Sequence, residues 1–473
     1  MDQQKNHYEI ICIGAGSGGL NIASFTNRIG LKTLLVDKTD KNIGGDCLNF
    51  GCVPSKALIH ISKLFHQAKQ ANKFGLRTSG IADINKVTKY IDNKKEYIRE
   101  HESADYFRKK GMDVALGTAK FINKNTIEVN NQQYSAKKII IATGSRPRKL
   151  KIPGIESLTD GKELFTNENI FNIKKLPRNL LVIGGGPIGC ELGQAFARLG
   201  SKVTIVARST ILNKETKEVQ KIMNEQLDKE LTIINNTIPT KILGTNRILV
   251  EDTKTKKQSK LDFDAILVSI GRDLNTKLDL EKAGVEMDDK GKIKVNEYLQ
   301  TTNKNILTCG DIAGGFKFTH AAELHAGVIL NNAFSPIKKK LNYDKFSWVT
   351  FTDPEIATWG QSEEQLKEKG IDYTKLVSDL KHDDRSITDS ESGKLILYIN
   401  NNHIMGGTLI RNGAGEIAQE LILATHINLK LKDIFSKIYA YPTASRINKS
   451  IIANHMGKNL SDFTKKLLKF FYH

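Results

Sequence analysis

Cysteine and proline are scarce in this chain, with five cysteines and nine prolines among 473 residues. Cys12, Cys47, Cys52, Cys190 and Cys309 are too few and too scattered for the disulfide framework of a small secreted domain. No apolar run reaches the roughly 18 residues that a transmembrane helix needs. The opening MDQQKNHYEIICIG passes from a polar leader straight into an apolar strand and lacks a signal-peptide core. A cytoplasmic protein is therefore expected. Acidic residues are the minority charge, 52 against 71 Lys and Arg, which leaves a net charge of +19. Such an excess raises the question of nucleic-acid or membrane partners. The lysines are spread along the chain, however, in short clusters such as Arg146, Arg148, Lys149 and Lys151. No nucleic-acid-binding motif goes with them, so the expectation is a solvated basic surface and no nucleic-acid partner. At 39% hydrophobic and 26% charged residues the composition is ordinary for a globular protein, and the length allows about three domains.

Two of the few cysteines share one stretch, Gly44 to Lys56, which reads GGDCLNFGCVPSK. A regular α-helix would hold residues i and i+5 about 8–9 Å apart at Cα. A disulfide requires about 4.4–6.8 Å. If Cys47 and Cys52 bond, the backbone between them must leave the helix. Gly51 supplies the freedom to do so, and Pro54 suits the first turn of a helix that follows. A thiol at that helix start would be favoured as thiolate by the helix dipole. The plain alternative is a pair of buried structural cysteines acting as small hydrophobes. The two motifs that flank the pair weigh toward redox chemistry.

The first of these motifs begins with the apolar run Tyr8–Ile13. It leads into the G-x-G-x-x-G of Gly14, Gly16 and Gly19, a helix over Leu20–Ile29, and a strand over Thr33–Val36 that ends at Asp37. The glycines let backbone approach a pyrophosphate at a helix N-terminus, and the acid accepts a hydrogen bond from a ribose hydroxyl. A lone glycine pattern is weak evidence, but strand, glycines, helix, strand and acid in order are strong. The second motif starts at Leu180–Ile183 and carries Gly184, Gly186 and Gly189, a helix over Cys190–Leu199 and a strand over Lys202–Val206. Here the position equivalent to Asp37 is Ala207, followed by Arg208. An acid suits the free 2′-hydroxyl of NAD and an arginine the 2′-phosphate of NADP, so NADPH is expected, with NADH as the alternative. Between the motifs, Ala57 to about Glu102 reads as a long helix with charged faces. Strands follow from Val114 to Ala142.

The stretch GGDCLNFGCVPSKAL resembles the redox-disulfide signature of the class I flavoprotein disulfide reductases, a family that includes dihydrolipoamide dehydrogenase, glutathione reductase and mercuric reductase. The resemblance runs nearly the whole length. DAILVSIGR (264–272) looks like the return from the nicotinamide domain to the flavin domain, and NILTCGD (305–311) like the motif whose Asp binds the ribityl chain. WVTFTDPEIA (348–357) looks like the entry to the dimerisation domain. The implied fold is α/β, with two Rossmann-like dinucleotide-binding domains and an α+β C-terminal dimerisation domain. Residues 1–147 with 271–340 would bind FAD, 148–270 would bind NAD(P), and 341–473 would form the dimer and carry a basic amphipathic tail. The resemblance also implies a homodimer in which the C-terminal segment of one subunit completes the disulfide site of the other. Cys47 and Cys52 would be the redox pair, with Cys52 against the flavin and Cys47 exchanging with substrate. Lys56 and Glu191 would form the ion pair near the flavin. Cofactor contacts are implied at Gly14, Gly16, Gly19, Asp37, Gly45, Lys56, Thr143, Gly144, Gly271, Arg272 and Asp311, and for the nicotinamide at Gly184, Gly186, Gly189 and Arg208. Cys309, His320 and His325 require no functional reading, and no metal site is expected.

The resemblance fails at one place. Dihydrolipoamide dehydrogenase and glutathione reductase carry His-Pro and, four residues after the proline, a Glu; the His is the acid-base group and the Glu orients it. Here the segment is YAYPTASR, with Tyr441 at the His position and Arg446 at the Glu position. Mercuric reductase also has tyrosine in this region, but its C-terminal cysteine pair and its preceding metal-binding domain have no counterpart here. Ser461 to His473 forms a short basic amphipathic helix that could rest on an anionic membrane surface or pack on its own subunit. The reading is an NADPH- and FAD-dependent reductase of a small-molecule disulfide, thiol-reactive or metal-ion oxidant. The rivals are an NAD-dependent dihydrolipoamide dehydrogenase and an FAD-binding redox sensor or membrane-associated scaffold.

Overall fold

The computed structural model describes residues 6–458 and 460–472, and they divide into two compact units. The first holds both dinucleotide folds. In its larger sheet the strands Asp113–Leu116, Thr33–Asp37, His7–Ile13 and the second half of Gln132–Ile141 run parallel in that order, and Ile306–Thr308 pairs with the last of them. Alternate residues of the central strand enter different cores. Ile11 and Ile13 join one cluster, while Ile10 and Cys12 join another. A parallel sheet buried on both faces needs this near-continuous apolar composition. The register aligns Ile13 with Val36 and Ile141, and Ile141 with Thr308. Four strands therefore end at one edge, where Asp37 is the last residue of its strand and Gly14, Thr143 and Asp311 follow the ends of theirs. The smaller parallel sheet runs Thr232–Ile234, Lys202–Val206, Asn179–Ile183, Ala265–Val268 and Leu164–Phe165. It brings Gly184 and Ala207 to its own carboxyl edge in the same way. In open α/β sheets that edge is where ligands bind.

The helical region expected to run unbroken from Ala57 to Glu102 is two helices, Cys52–Gln70 and Ile84–Arg99, joined by a short 3-10 turn and a loop. Gly75, at φ +95°, ends the 3-10 turn Ala71–Phe74 in the left-handed conformation that glycine takes at helix ends. Asp83 starts the second by accepting a hydrogen bond from Asn85 N. Both signals are present in the sequence and the charge pattern overrides them only on paper.

The second unit combines 342–473 with 213–229, a segment that the sequence reading placed inside the 148–270 domain. Its sheet is antiparallel throughout, in the order Ser347–Thr350, Glu355–Gly360, His403–Arg411, Lys394–Asn400, Thr374–Asp379. Trp359, Leu397, Leu409, Leu421 and Ile447 meet in the core between this sheet and helices that follow it. The helix Lys217–Leu227 is tied in by polar contacts. Glu215, just before it, accepts from Trp348 Nε1 at 2.7 Å and from the Thr358 hydroxyl at 2.9 Å. Glu218 pairs with Lys375 at 3.2 Å and Lys394 at 3.0 Å. The final helix, Asp462–Phe470, buries none of its residues. Packing on its own subunit, one of the two readings of the tail, has no support in its exposure.

Trp359 is 1% exposed and its indole donates to Thr425. Trp359→Ala is expected to destabilise the second unit by about 3–5 kcal/mol, read as a lowered denaturation midpoint of that unit with the absorbance of the bound flavin as an independent probe of the first.

Candidate active site

The two cysteines lie on either side of a break in the helix. Gly44, at φ +87°, opens a single turn Gly45–Asn49, and the next helix starts at Cys52. Gly51 between them has φ −120° and ψ −110°, outside the helical region. A Cβ at Gly51 would lie 2.9 Å from Asp46 O, so the close return of the chain depends on its absence. The single turn is held from outside: the Asn49 amide donates to Ile43 O and Gly45 O, and Arg99 donates to Asn49 Oδ1 at 2.6 Å. Neither cysteine is a buried structural thiol, for Cys47 is half-buried and Cys52 exposed.

Their electrostatics are opposite. The hydrogen bond from Cys47 holds the Cys52 thiol down, and the Thr319 hydroxyl at 3.3 Å and the Lys56 charge act the same way, against burial; Cys52 falls to about 6. Cys47 is pushed well above the ordinary thiol range, first by donating to Cys52 and then by burial. At neutral pH the reduced pair is one thiolate and one thiol. Lys56, one turn along the helix from Cys52, pairs with the buried Glu191 at 2.9 Å. This pair joins two elements far apart in sequence, since Glu191 sits in the helix Pro187–Leu199 of the second dinucleotide fold.

The residues expected to hold FAD gather at the edge of the larger sheet. Asp37 accepts from Ala15 N and Lys38 N at 2.7 Å each, which fixes its carboxylate over the glycine loop. Burial raises its pKa and those two bonds oppose the rise. A Cβ at Gly45 would stand 2.6 Å from Gly16 Cα, so the cysteine turn sits directly against the glycine loop. Thr143 and Gly144 are joined to Asn275: Thr143 Oγ1 donates to Asn275 O, Asn275 Nδ2 to Thr143 O, and Asn275 N to Gly144 O. Asp311 accepts from the Ser145 hydroxyl, and burial raises its carboxyl pKa. Arg272 bridges this group, donating to Ser145 Oγ at 2.7 Å and to Asp46 Oδ1 at 2.9 Å, with Asp311 at 3.7 Å. The Gly271 carbonyl accepts from Arg148 N at 2.9 Å. Thr319, Ser145, Asp46 and Asn275 also belong to the site; Asp46 and Ser145 lie within or beside stretches already read as motifs, whereas Thr319 reaches Cys52 across 267 positions.

Both glycine loops fit a dinucleotide. The helices Ser17–Arg28 and Pro187–Leu199 start at Gly16 and Gly186 with no side-chain cap and no acid in the first turn. Their first amides are therefore directed at an anion. At Gly186 a Cβ would meet no atom within 4 Å, so any side chain there would fill the space a pyrophosphate must enter, whereas at Gly189 it would strike Gly184 O. Ala207 is buried and Arg208 exposed at the strand end beside this loop.

Tyr441 belongs to the other compact unit. It is 65% exposed, donates to Asp384 Oδ2 at 3.1 Å and has the Arg446 guanidinium 5.2 Å from its ring centroid. The hydrogen bond to Asp384 raises its pKa above the ordinary tyrosine value.

In reduced holoenzyme, the rate of iodoacetamide modification is expected to rise with pH through about 6, following the Cys52 thiolate. Thr319→Val removes one stabilising hydrogen bond and is expected to move that midpoint upward; Cys52→Ser is expected to abolish the low-pH phase. An unmoved midpoint in Thr319→Val would remove Thr319 from the role.

The family model for pyridine nucleotide-disulphide oxidoreductases matches residues 8–326, and the model for that family's dimerisation domain matches 346–451. A mercuric reductase of Staphylococcus aureus is 33% identical over 445 residues, 92% of this chain and 80% of that one. A dihydrolipoyl dehydrogenase of the same organism is 32% identical over 463 residues, 95% of this chain and 97% of that one. Among solved structures, the HOCl-induced flavoprotein disulfide reductase RclA of Escherichia coli, as its Cu(II) complex, superposes with a TM-score of 0.82 at 25% identity, covering 95% of this chain and 99% of that one. The chain therefore belongs to the class I pyridine nucleotide-disulphide oxidoreductases, FAD-dependent enzymes that exchange electrons between NAD(P)H and sulfur groups or metal ions.

Proposed function

We propose that this chain is a cytoplasmic homodimeric reductase that passes electrons from NADPH to a small-molecule disulfide, another thiol-reactive oxidant or a metal ion. The observation that carries the direction is at Tyr441. Oxidising a dithiol requires a base poised near neutral pH, which His supplies and tyrosine, with a reference pKa of about 10, does not. Its bond to Asp384 raises the phenol pKa, so even less of Tyr441 is present as the phenolate that could act as a base. A dihydrolipoamide dehydrogenase running toward NADH is disfavoured on this ground, and a sensor without turnover is disfavoured by the exposed, asymmetric thiol pair.

Bound at the first fold, FAD would be held by the glycine loop, Asp37, Asp311 and the Lys56–Glu191 pair, and it supplies two-electron transfer between nicotinamide and disulfide. The chain's own residues do the sulfur chemistry. Cys47 gives its proton to Cys52 along their hydrogen bond and attacks one sulfur of the substrate disulfide. One substrate thiolate leaves and takes up a proton, for which Tyr441 of the partner subunit is the donor in this reading. Cys52, losing its proton in turn, attacks Cys47, so the Cys47–Cys52 bond forms and the second substrate thiolate leaves. The cysteine pair gives the substrate two electrons and the one proton it held, which leaves with the second substrate thiolate; the other proton comes from Tyr441, which recovers it from solvent. Thr319 and Lys56 stabilise the Cys52 thiolate through this exchange. The relatives named mercuric reductase, and the Cu(II) complex of RclA, support widening the substrate class to metal ions.

Ala207 and Arg208 support NADPH. Arg208→Ala is expected to lower kcat/KM for NADPH roughly 10–100-fold, the worth of a charge-assisted contact of about 1.5–3 kcal/mol, with NADH unaffected. A parent that prefers NADH would leave Arg208 as a solvated side chain. Purified protein assayed with NADPH against lipoamide, glutathione disulfide, Hg(II) and Cu(II) tests the reading as a whole, and fast dihydrolipoamide oxidation by the parent would overturn it.

We also infer weak contact with an anionic lipid surface through the tail. Phe463, Leu467, Phe470 and Phe471 are all exposed and share one side at helical spacing, with Lys465, Lys466 and Lys469 toward the other. Co-sedimentation with phosphatidylglycerol vesicles is expected for the intact protein and not for a chain ending at Lys458, with equal sedimentation the contrary result.

A further inference from the structure

Tyr441, Arg446 and the segment His382–Arg385 enclose a small polar pocket, completed by Pro442, Thr443 and Ser450. Two of its charged groups already have local partners. Asp383 accepts from the backbone N and the hydroxyl of Ser386 and so caps the helix Asp384–Thr388. Arg385 is paired with Asp389 at 2.6 Å. The other two contact Tyr441 at different places, the hydroxyl and the ring face. Asp384 Oδ2 accepts a hydrogen bond from the phenol at 3.1 Å, and the Arg446 guanidinium lies 5.2 Å from the ring centroid, a cation–π distance. His382 is the remaining titratable group in the pocket.

We propose that Asp384 is the positioning carboxylate of Tyr441: it points the phenol and keeps it a proton-bearing donor, so that the site favours substrates whose reduction takes up a proton over dithiols whose oxidation must give one up. The proposal rests on the reading above, in which Tyr441 faces substrate in the assembled enzyme, and it adds the group that makes this tyrosine one-directional. The carboxylate comes from a segment 57 positions before the tyrosine, not from the position four residues beyond the proline, where Arg446 stands. Exchanging the acid for a cation at that position is then no defect. The carboxylate has another source, and the guanidinium stabilises the ring from its face.

The charges fix the sign of the test. A carboxylate at the phenol oxygen disfavours phenolate, and a nearby guanidinium favours it. In NADPH-driven reduction of lipoamide by the holoenzyme, the rate is expected to fall on the alkaline side as Tyr441 loses its proton. Asp384→Asn is expected to move that fall to lower pH, and Arg446→Gln to move it to higher pH. Asp384→Glu restores the parent profile, and His382→Gln leaves it unmoved. Tyr441→Phe is expected to lower kcat roughly 10²-fold with KM little changed, at the lower edge of positioned acid-base contributions, and to remove the shift caused by Asp384→Asn. In the oxidative direction, an imidazole is shorter than a phenol. Tyr441→His combined with Asp384→Glu is therefore expected to gain more dihydrolipoamide oxidation than Tyr441→His alone. If Tyr441→Phe leaves every substrate rate unchanged, Tyr441 does not face substrate and the underlying reading fails. If Tyr441→Phe slows reduction but Asp384→Asn and Arg446→Gln leave the alkaline fall where it is, the reading stands and the role of Asp384 is overturned.

Discussion

The departure from helix at Phe50–Gly51 is the constraint on which the rest of the site depends. It brings a thiol from the end of one helical turn against a thiol at the start of the next helix, where a continuous helix would hold them apart. The second thiol then lies at a helix N-terminus, with an ammonium one turn further along and a threonine hydroxyl beside it. The hydrogen bond from Cys47 and the Lys56 charge favour the charged form of Cys52, while the Thr319 hydroxyl lowers both thiols. The asymmetry between Cys47 and Cys52 thus follows from where the helix breaks. The break in turn is supported by groups outside it, namely Asn49, Arg99 and the glycine loop against which Gly45 is pressed.

A second theme is that the site's charges are held in matched groups. Asp46, Arg272, Ser145 and Asp311 form one connected cluster, and Lys56 with Glu191 another. Burial pushes the Asp311 carboxyl up, and the Ser145 hydroxyl and the Arg272 charge pull it back. A buried carboxylate of this kind keeps its charge only while its partners stay. The first dinucleotide fold is therefore polar at its edge and apolar on both faces, which confines ionisable groups to the place where a charged ligand would meet them.

Much of this was legible in the residues. The glycine loops, Asp37, the cysteine pair and the four strand ends could be read because each belongs to a local pattern whose spacing has a physical cause. At Gly45 and Gly189 a side chain would collide with backbone. Thr319 could not be read, since it reaches Cys52 across 267 positions and carries no motif. Asp384 was hidden for the same reason: only the folded chain shows that the carboxylate missing from the position of Arg446 is present from another segment. The break between Gln70 and Ile84 was a different kind of miss. Its glycine and its capping aspartate were visible, but a charge pattern of helical period masked them. The grouping of 213–229 with the C-terminal residues is set by tertiary contacts of Glu215 and Glu218, which no local signal announces.

That grouping makes the two compact units inseparable by any single cut. The chain leaves the first unit after Leu212, returns at Glu230 and leaves again after Leu341. A fragment ending near residue 341 would keep Glu215 but lose Trp348 and Thr358, the donors to its buried carboxylate, and would keep Glu218 without Lys375 and Lys394. A fragment starting near residue 342 would lack the helix that those residues bind. The nucleotide-handling half and the pairing half are consequently obliged to be synthesised, folded and inherited as one piece, and recombination within the family could exchange the C-terminal module only together with an insert from the middle of its neighbour.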